Sequence, residues 1–168
     1  MAKNEGSDQA PLEEVPVEHI SRYLDEHQIA HEVVEHDESF TAEAEAHAAG
    51  VAADDTAKSV LLHTGDGYLL AVLPASARLD LKKLQGVANQ PQLRLATEAE
   101  MTVLYPDVQP GALPPFGPDF PAPEILDRRL LEHDRILCSA GDHRHSLLVD
   151  PKDIVSLSEP KVADICAE

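Results

Sequence analysis

The sequence predicts an α/β protein of the α+β type, with a mixed sheet surrounded by helices. Strand-like and helix-like stretches alternate irregularly, without the rhythm of a doubly wound parallel sheet. Two apolar runs, 58–63 and 68–73, are joined by Thr64-Gly65-Asp66-Gly67, which is hairpin chemistry. The 168 residues suffice for one domain with a substantial core.

Taken in order, residues 1–11 are small and polar and are expected as a disordered tail, leaving 12–168 as one domain. Pro16 suits a first helical turn, and Val17, Ile20 and Leu24 follow at helical spacing, so a helix runs to about His27. Residues 29–35, with β-branched Val33 and Val34, read as a strand. Thr41 is placed to cap the alanine-rich helix that Gly50 stops. The hairpin comes next. Residues 78–84 suit a short helix closing near Gly86, and 92–96 a short strand. Thr97 and Glu100 match a capping box, opening a helix that ends before Pro106. Residues 124–126 read as a strand, 128–133 as a short helix, and 135–139 and 145–149 as strands around a polar turn. Asp150-Pro151 caps a helix through Val155, and 161–168 is expected as a last short helix.

The formal charge of −18 argues against coating nucleic acid through a general field, because phosphate binding draws on Lys and Arg. It leaves room for a local basic pocket that takes only the end of a nucleic acid. The acidic excess is spread along the chain, as on a solvated surface. No apolar run is long enough to span a bilayer, and the polar start has no leader pattern, so a cytoplasmic location without a membrane partner is expected. The two cysteines, Cys138 and Cys166, form no disulfide framework; Cys138 lies in an apolar run and is expected as a buried, inert thiol.

Several catalytic patterns are missing. There is no HExxH or cysteine pair for zinc, no GxSxG elbow, and no phosphate or dinucleotide loop. His143 and His145 could share a strand face, but spacing alone is weak evidence for a metal. Arg128-Arg129, flanked by Asp127 and Glu132, reads as a solvated helix face.

Three features remain. Lys58 heads the apolar run Ser59-Val60-Leu61-Leu62, and a lysine there either reaches the surface or points into a site. Residues 106–123 form an uncommonly long proline-rich loop. Its prolines flank Leu113, Phe116 and Phe120, which favours a stiff, ordered loop, and proline leaves few N–H donors, Gly111 and Ala112 among them. The third feature is the turn Gly141-Asp142-His143.

With these in place the chain resembles the YbaK/prolyl-tRNA editing family, aminoacyl-tRNA deacylase domains found free-standing or inserted in prolyl-tRNA synthetases. The carriers are Ala57-Lys58-Ser59-Val60-Leu61, then Ala71-Val72-Leu73-Pro74-Ala75-Ser76 with Arg78-Leu79-Asp80-Leu81. The loop Pro110-Gly111-Ala112-Leu113-Pro114-Pro115-Phe116-Gly117 is the most specific, and Ser139-Ala140-Gly141-Asp142-His143 and Lys161-Val162-Ala163-Asp164-Ile165 complete the series in the family's order.

The resemblance implies a curved mixed sheet or partial barrel with helices outside. It implies hydrolysis, without cofactor or metal, of the ester joining a wrong amino acid to the terminal adenosine of a tRNA. Small amino acids on proline tRNA are its first candidates. Lys58 matches the family's essential lysine, expected to hold the terminal phosphate. Gly111 matches the glycine whose N–H meets the substrate carbonyl, and His143 the Gly-x-His pattern of one free-standing subgroup. Phe40 and Thr41 fall at the family's pocket rim, and Ala112, Pro114, Gly141 and Asp142 are the remaining candidate substrate-binding residues. The expected partner is the acceptor end of an aminoacyl-tRNA, not DNA; with the acidic charge, either binding is weak and limited to that end or a synthetase or elongation factor delivers the substrate. A non-catalytic module of the same fold, binding a nucleotide or an amino acid, is the alternative.

Overall fold

The computed structural model describes residues 16–116 and 122–168; the tail 1–11, Gly117 and Phe120 lie outside the described residues. Helix α1 (Pro16–Glu26) buries Val17, Ile20 and Leu24, the stripe its spacing requires. Strand β1 (His31–Glu35) follows, then α2 (Ala42–Ala49), whose first turn is capped by Thr41 Oγ1 accepting from the Ala44 N–H at 3.0 Å. Strands β2 (Ala57–His63) and β3 (Tyr68–Pro74) form the expected hairpin.

Helix α3 (Leu81–Ala88) runs past Gly86, its expected stop. Asn89 ends it instead, in the left-handed region at φ 55°, with its N–H on the carbonyls of Gln85 and Gly86. Asparagine tolerates that conformation, so a glycine is not needed there. Strand β4 (Arg94–Leu95) precedes α4 (Glu98–Leu104), which opens with the Thr97–Glu100 capping box. After the proline-rich segment come β5 (Glu124–Asp127), a 3-10 turn over Arg128–Glu132, β6 (Ile136–Ser139), β7 (His145–Val149) and α5 (Pro151–Ser158).

The last segment corrects an expectation. Residues 161–163 are strand β8 (Lys161–Ala163), parallel to β5, and Cys166 then bridges to Leu79; this is not a helix. A helix would leave the outer edge of β5 unpaired, whereas the extended chain satisfies it. Buried Asp127 fixes that course by accepting the Ile165 N–H at 2.9 Å.

The strands form two sheets, ordered β1-β7-β6 and β4-β2-β3-β5-β8, with antiparallel and parallel pairs mixed. A parallel bridge, Thr56 to Leu137, joins them, and neither closes into a barrel. Side-chain alternation gives the larger sheet two faces. Leu61, Leu70, Val72 and Leu126 face a core shared with α1, β6, β7, Leu113 and Phe116. Leu62, Ala71, Leu73 and Ile125 face a second core with Leu84 of α3 and the Ile165-Cys166 tail. Among the described residues no helix is long and apolar enough to cross a membrane.

Candidate active site

The site is assembled around the β6–β7 turn. Beyond the last β1–β7 pair, Glu35 with His145, the two chains stay tied: the His36 N–H donates to the Arg144 carbonyl and the Ser39 N–H to the His143 carbonyl, both at 2.9 Å. That lays the segment leading into α2 alongside the turn. Phe40 and His143 become neighbours, with ring centroids 4.7 Å apart.

The proline-rich loop docks on the same turn. The Gln109 N–H donates to the Gly141 carbonyl at 2.8 Å, the Gly141 N–H returns to the Ala112 carbonyl at 3.0 Å, and Gln109 Oε1 accepts the His143 N–H at 3.1 Å. Gly111 has φ +88°, and a Cβ built on it would stand 3.6 Å from His143 Cε1 and 4.0 Å from the Phe40 carbonyl oxygen. The structure therefore brings Gly111, His143 and Phe40 together, three residues from three separate segments.

Lys58 sits where β2 changes neighbours. The bridge at Thr56 places β6 against the start of β2, and β4 takes the same edge only at Leu62–His63. Among the described residues no strand pairs with this edge over 57–60. Lys58 and Ser139 each lie two residues past the bridged pair, so alternation puts both on the same face. The lysine is half-buried, and no hydrogen bond or ion pair from described residues engages its ammonium. Among the described residues it is thus an unpaired cation on an unpaired stretch of β2, whose start bridges the strand that leads into the His143 turn.

The other candidates divide. Thr41 serves as the α2 cap and is exposed. Ala112 and Pro114 are buried, and the Ala112 N–H is taken by the Gln109 carbonyl at 3.0 Å; the Gly111 N–H has no partner among described residues. Asp142 turns back on its own hairpin, accepting the Arg144 N–H at 2.8 Å and meeting His145 Nδ1 with both oxygens at 3.0 Å. The shared strand face suggested for His143 and His145 does not form, since His143 belongs to the turn and only His145 to β7. Arg129 is held by Asp127 and Asp164, so the Arg128-Arg129 pair is less free than a solvated face.

Sequence reasoning missed the buried polar layer behind the turn. Glu45 of α2 is 5% exposed and accepts from Ser139 Oγ at 3.0 Å and from Ser146 Oγ. Ser146 Oγ also meets His36 Nε2 at 2.8 Å, and His36 Nδ1 lies 2.7 Å from the Asp37 carbonyl oxygen. Burial pushes the Glu45 carboxyl up against the opposing pull of Ser146, Ser139, His36 and His143. The usable signal was the pair of serines flanking the turn at the ends of β6 and β7. Among the described residues no three His, Cys, Asp or Glu side chains gather in a metal-binding group.

The sequence model of the aminoacyl-tRNA editing domain matches residues 36–157. The chain is similar to the solved structure of a proposed trans-editing enzyme for prolyl tRNA synthetase: TM-score 0.80, 28% identity, covering 93% of this chain and 99% of that one. It is similar in fold to a scaffold protein from the computational grafting of linear epitopes, with TM-score 0.82, 24% identity and coverage of 93% and 99%. The same holds for a hypothetical protein, with TM-score 0.78, 21% identity and coverage of 88% and 98%. No curated protein sequence matches the chain.

Proposed function

Because the chain belongs to the aminoacyl-tRNA editing domain family, we propose that it is a deacylase acting in trans on mischarged tRNA, with a small amino acid on proline tRNA as the first substrate to test. The observation that carries this reading is the convergence of Gly111, His143 and Phe40, on a turn entered by β6, the strand that bridges to the start of β2 two residues before Lys58. The 28% identity to a proposed prolyl-tRNA trans-editing enzyme supports the substrate class.

An aminoacyl ester is an activated bond, so hydrolysis needs mainly an aligned water and a donor for the developing oxyanion. Water oxygen bonds to the ester carbonyl carbon, the bond to the ribose oxygen breaks, and that oxygen leaves with a proton. Gly111 offers its N–H, which has no partner among the described residues, to the carbonyl oxygen. Lys58 supplies the cation that the terminal phosphate requires. The His143 ring bounds the reacting carbon's surroundings, and Phe40 forms the rim. The walls sort amino acids by volume, within the ~1–3 kcal/mol that a methylene is worth.

The charge of −18 sets how tRNA is held. Contact is confined to the acceptor end, and a synthetase or elongation factor delivers the substrate. The chemistry proceeds without a metal, so a chelator should leave the rate unchanged.

The test is a panel of mischarged tRNAs incubated with the protein and with Lys58→Ala. Deacylation of at least one member, lost in Lys58→Ala, is expected. Full activity in the variant would remove Lys58 from its role, and flat time courses across the panel would favour a non-catalytic binding module.

A further inference from the structure

The α2 carboxylate of Glu45 is buried behind the His143 turn and grips both ends of it. Ser139 and Ser146 are register partners, the last pair of the β6–β7 hairpin before residues 140–144. One oxygen of Glu45 takes the hydroxyl of Ser139 and the other that of Ser146, so a single side chain ties the two stems together. The same helix begins at Thr41, directly after Phe40. Ser146 passes the connection on to His36, on the segment that runs to Phe40. We propose that Glu45 is a positioning residue that holds His143 against Phe40 by closing the base of its turn. This rests on the deacylase reading only for its kinetic consequence.

Proton accounting shows why a carboxylate suits this place. Ser139 donates to Glu45, and His36 Nδ1 donates to the Asp37 carbonyl. The two remaining contacts, Glu45 to Ser146 and Ser146 to His36, need one further proton besides the serine's own. Either His36 carries it and donates to Ser146, which donates to Glu45, or Glu45 carries it and the chain runs the other way. Both forms have no net charge and leave no contact without a hydrogen, as a buried layer demands. A glutamine at position 45 reproduces the second form, since its amide N–H donates to Ser146 and its carbonyl accepts from Ser139. Alanine removes the acceptor the two serines share, leaving Ser146 only its contact with His36 and cutting the tie between the stems.

This separates positioning from mere packing. Glu45→Ala should lower kcat ~10-fold or more with KM little changed, as a small displacement of a site group does. Glu45→Gln should restore kcat to near the parent value. The Glu45→Ala loss should disappear in a His143→Ala background, since nothing is then left to misplace. Nuclear Overhauser contacts between the Phe40 and His143 rings should persist in Glu45→Gln and vanish in Glu45→Ala. If Glu45→Ala does not fold, Ser139→Ala frees one stem and should weaken the same ring contact. Intact ring contacts and kcat in the alanine or serine variants, or failure of glutamine to restore them, would overturn the proposal. A parent protein inactive on every mischarged tRNA would defeat the deacylase reading instead, and the ring contacts would still decide the role of Glu45.

Discussion

Phe40 and His143 stand ring to ring, centroids 4.7 Å apart and planes tilted by 48°, although 102 intervening residues separate them in the chain. Phe40 is 65% exposed, so its ring is presented to solvent on the side that does not touch the histidine. An aromatic left that open contributes little to stability and is available to stack on a base or cover an acyl group. Phe40→Ala should therefore raise KM for deacylation several-fold, while thermal melting moves by no more than a degree or two. Steady-state kinetics and a melting curve on the same preparation check both halves.

Lys58→Ala offers the clean contrast. Its ammonium has no hydrogen bond or ion pair to lose among the described residues, and the chain at 57–60 lies on an edge without a second strand. Removing the side chain should leave the melting temperature in place while deacylation falls to background. A variant that melts early would mean that Lys58 supports the fold.

Gly141→Ala should fail for a different reason. Gly141 has φ +99°, and a Cβ there would lie 2.5 Å from Cβ of Pro16, in the first turn of α1. No L side chain meets that backbone without strain, and Pro16 cannot swing aside. The expected cost is ~1–3 kcal/mol from strain alone, before the clash is relieved. Denaturant unfolding reads it, with an unchanged slope and an earlier midpoint. Gly111→Ala shares the positive φ but meets His143 Cε1 only at 3.6 Å, so it should cost less stability and more activity.

These contrasts mark how far the sequence could be read. Local chemistry was legible: the α1 stripe, the Thr41 and Thr97 caps and the β2–β3 turn each depend on residues a few positions apart. The mixed architecture followed from that order, and the site loops from family resemblance. Three things were not legible, two of them because they depend on distant partners. The tail at Lys161 has little pattern of its own and becomes β8 only because β5 offers an edge. Asn89 rather than Gly86 ends α3, a choice decided by the backbone after the helix. Glu45 carries no signal in the alanine-rich helix that sets it apart, and its place is visible only once the serines at 139 and 146 are brought to it.

Glu124 gives a prediction about pH. Among the described residues neither of its buried carboxylate oxygens has a hydrogen-bond partner, and the nearby Ser158 hydroxyl donates to the Pro115 carbonyl at 3.0 Å. Burial pushes the carboxyl up to about 8. In the unfolded chain the group ionises near the ordinary value of about 4.3. Between those two values the folded protein keeps a proton that the unfolded chain has released, so stability falls as pH rises from about 4.3 to about 8. Glu124→Gln is neutral throughout and of the same shape. It should melt higher than the parent at pH 7, by an amount on the order of a few kcal/mol in unfolding free energy, and lose this part of the slope. The two proteins should converge below about pH 3.3, roughly one unit under the unfolded value of about 4.3, where both side chains are uncharged in either state. Parallel melting curves for parent and variant from pH 4 to pH 8 would show that Glu124 is ionised in the fold, with a partner that satisfies it.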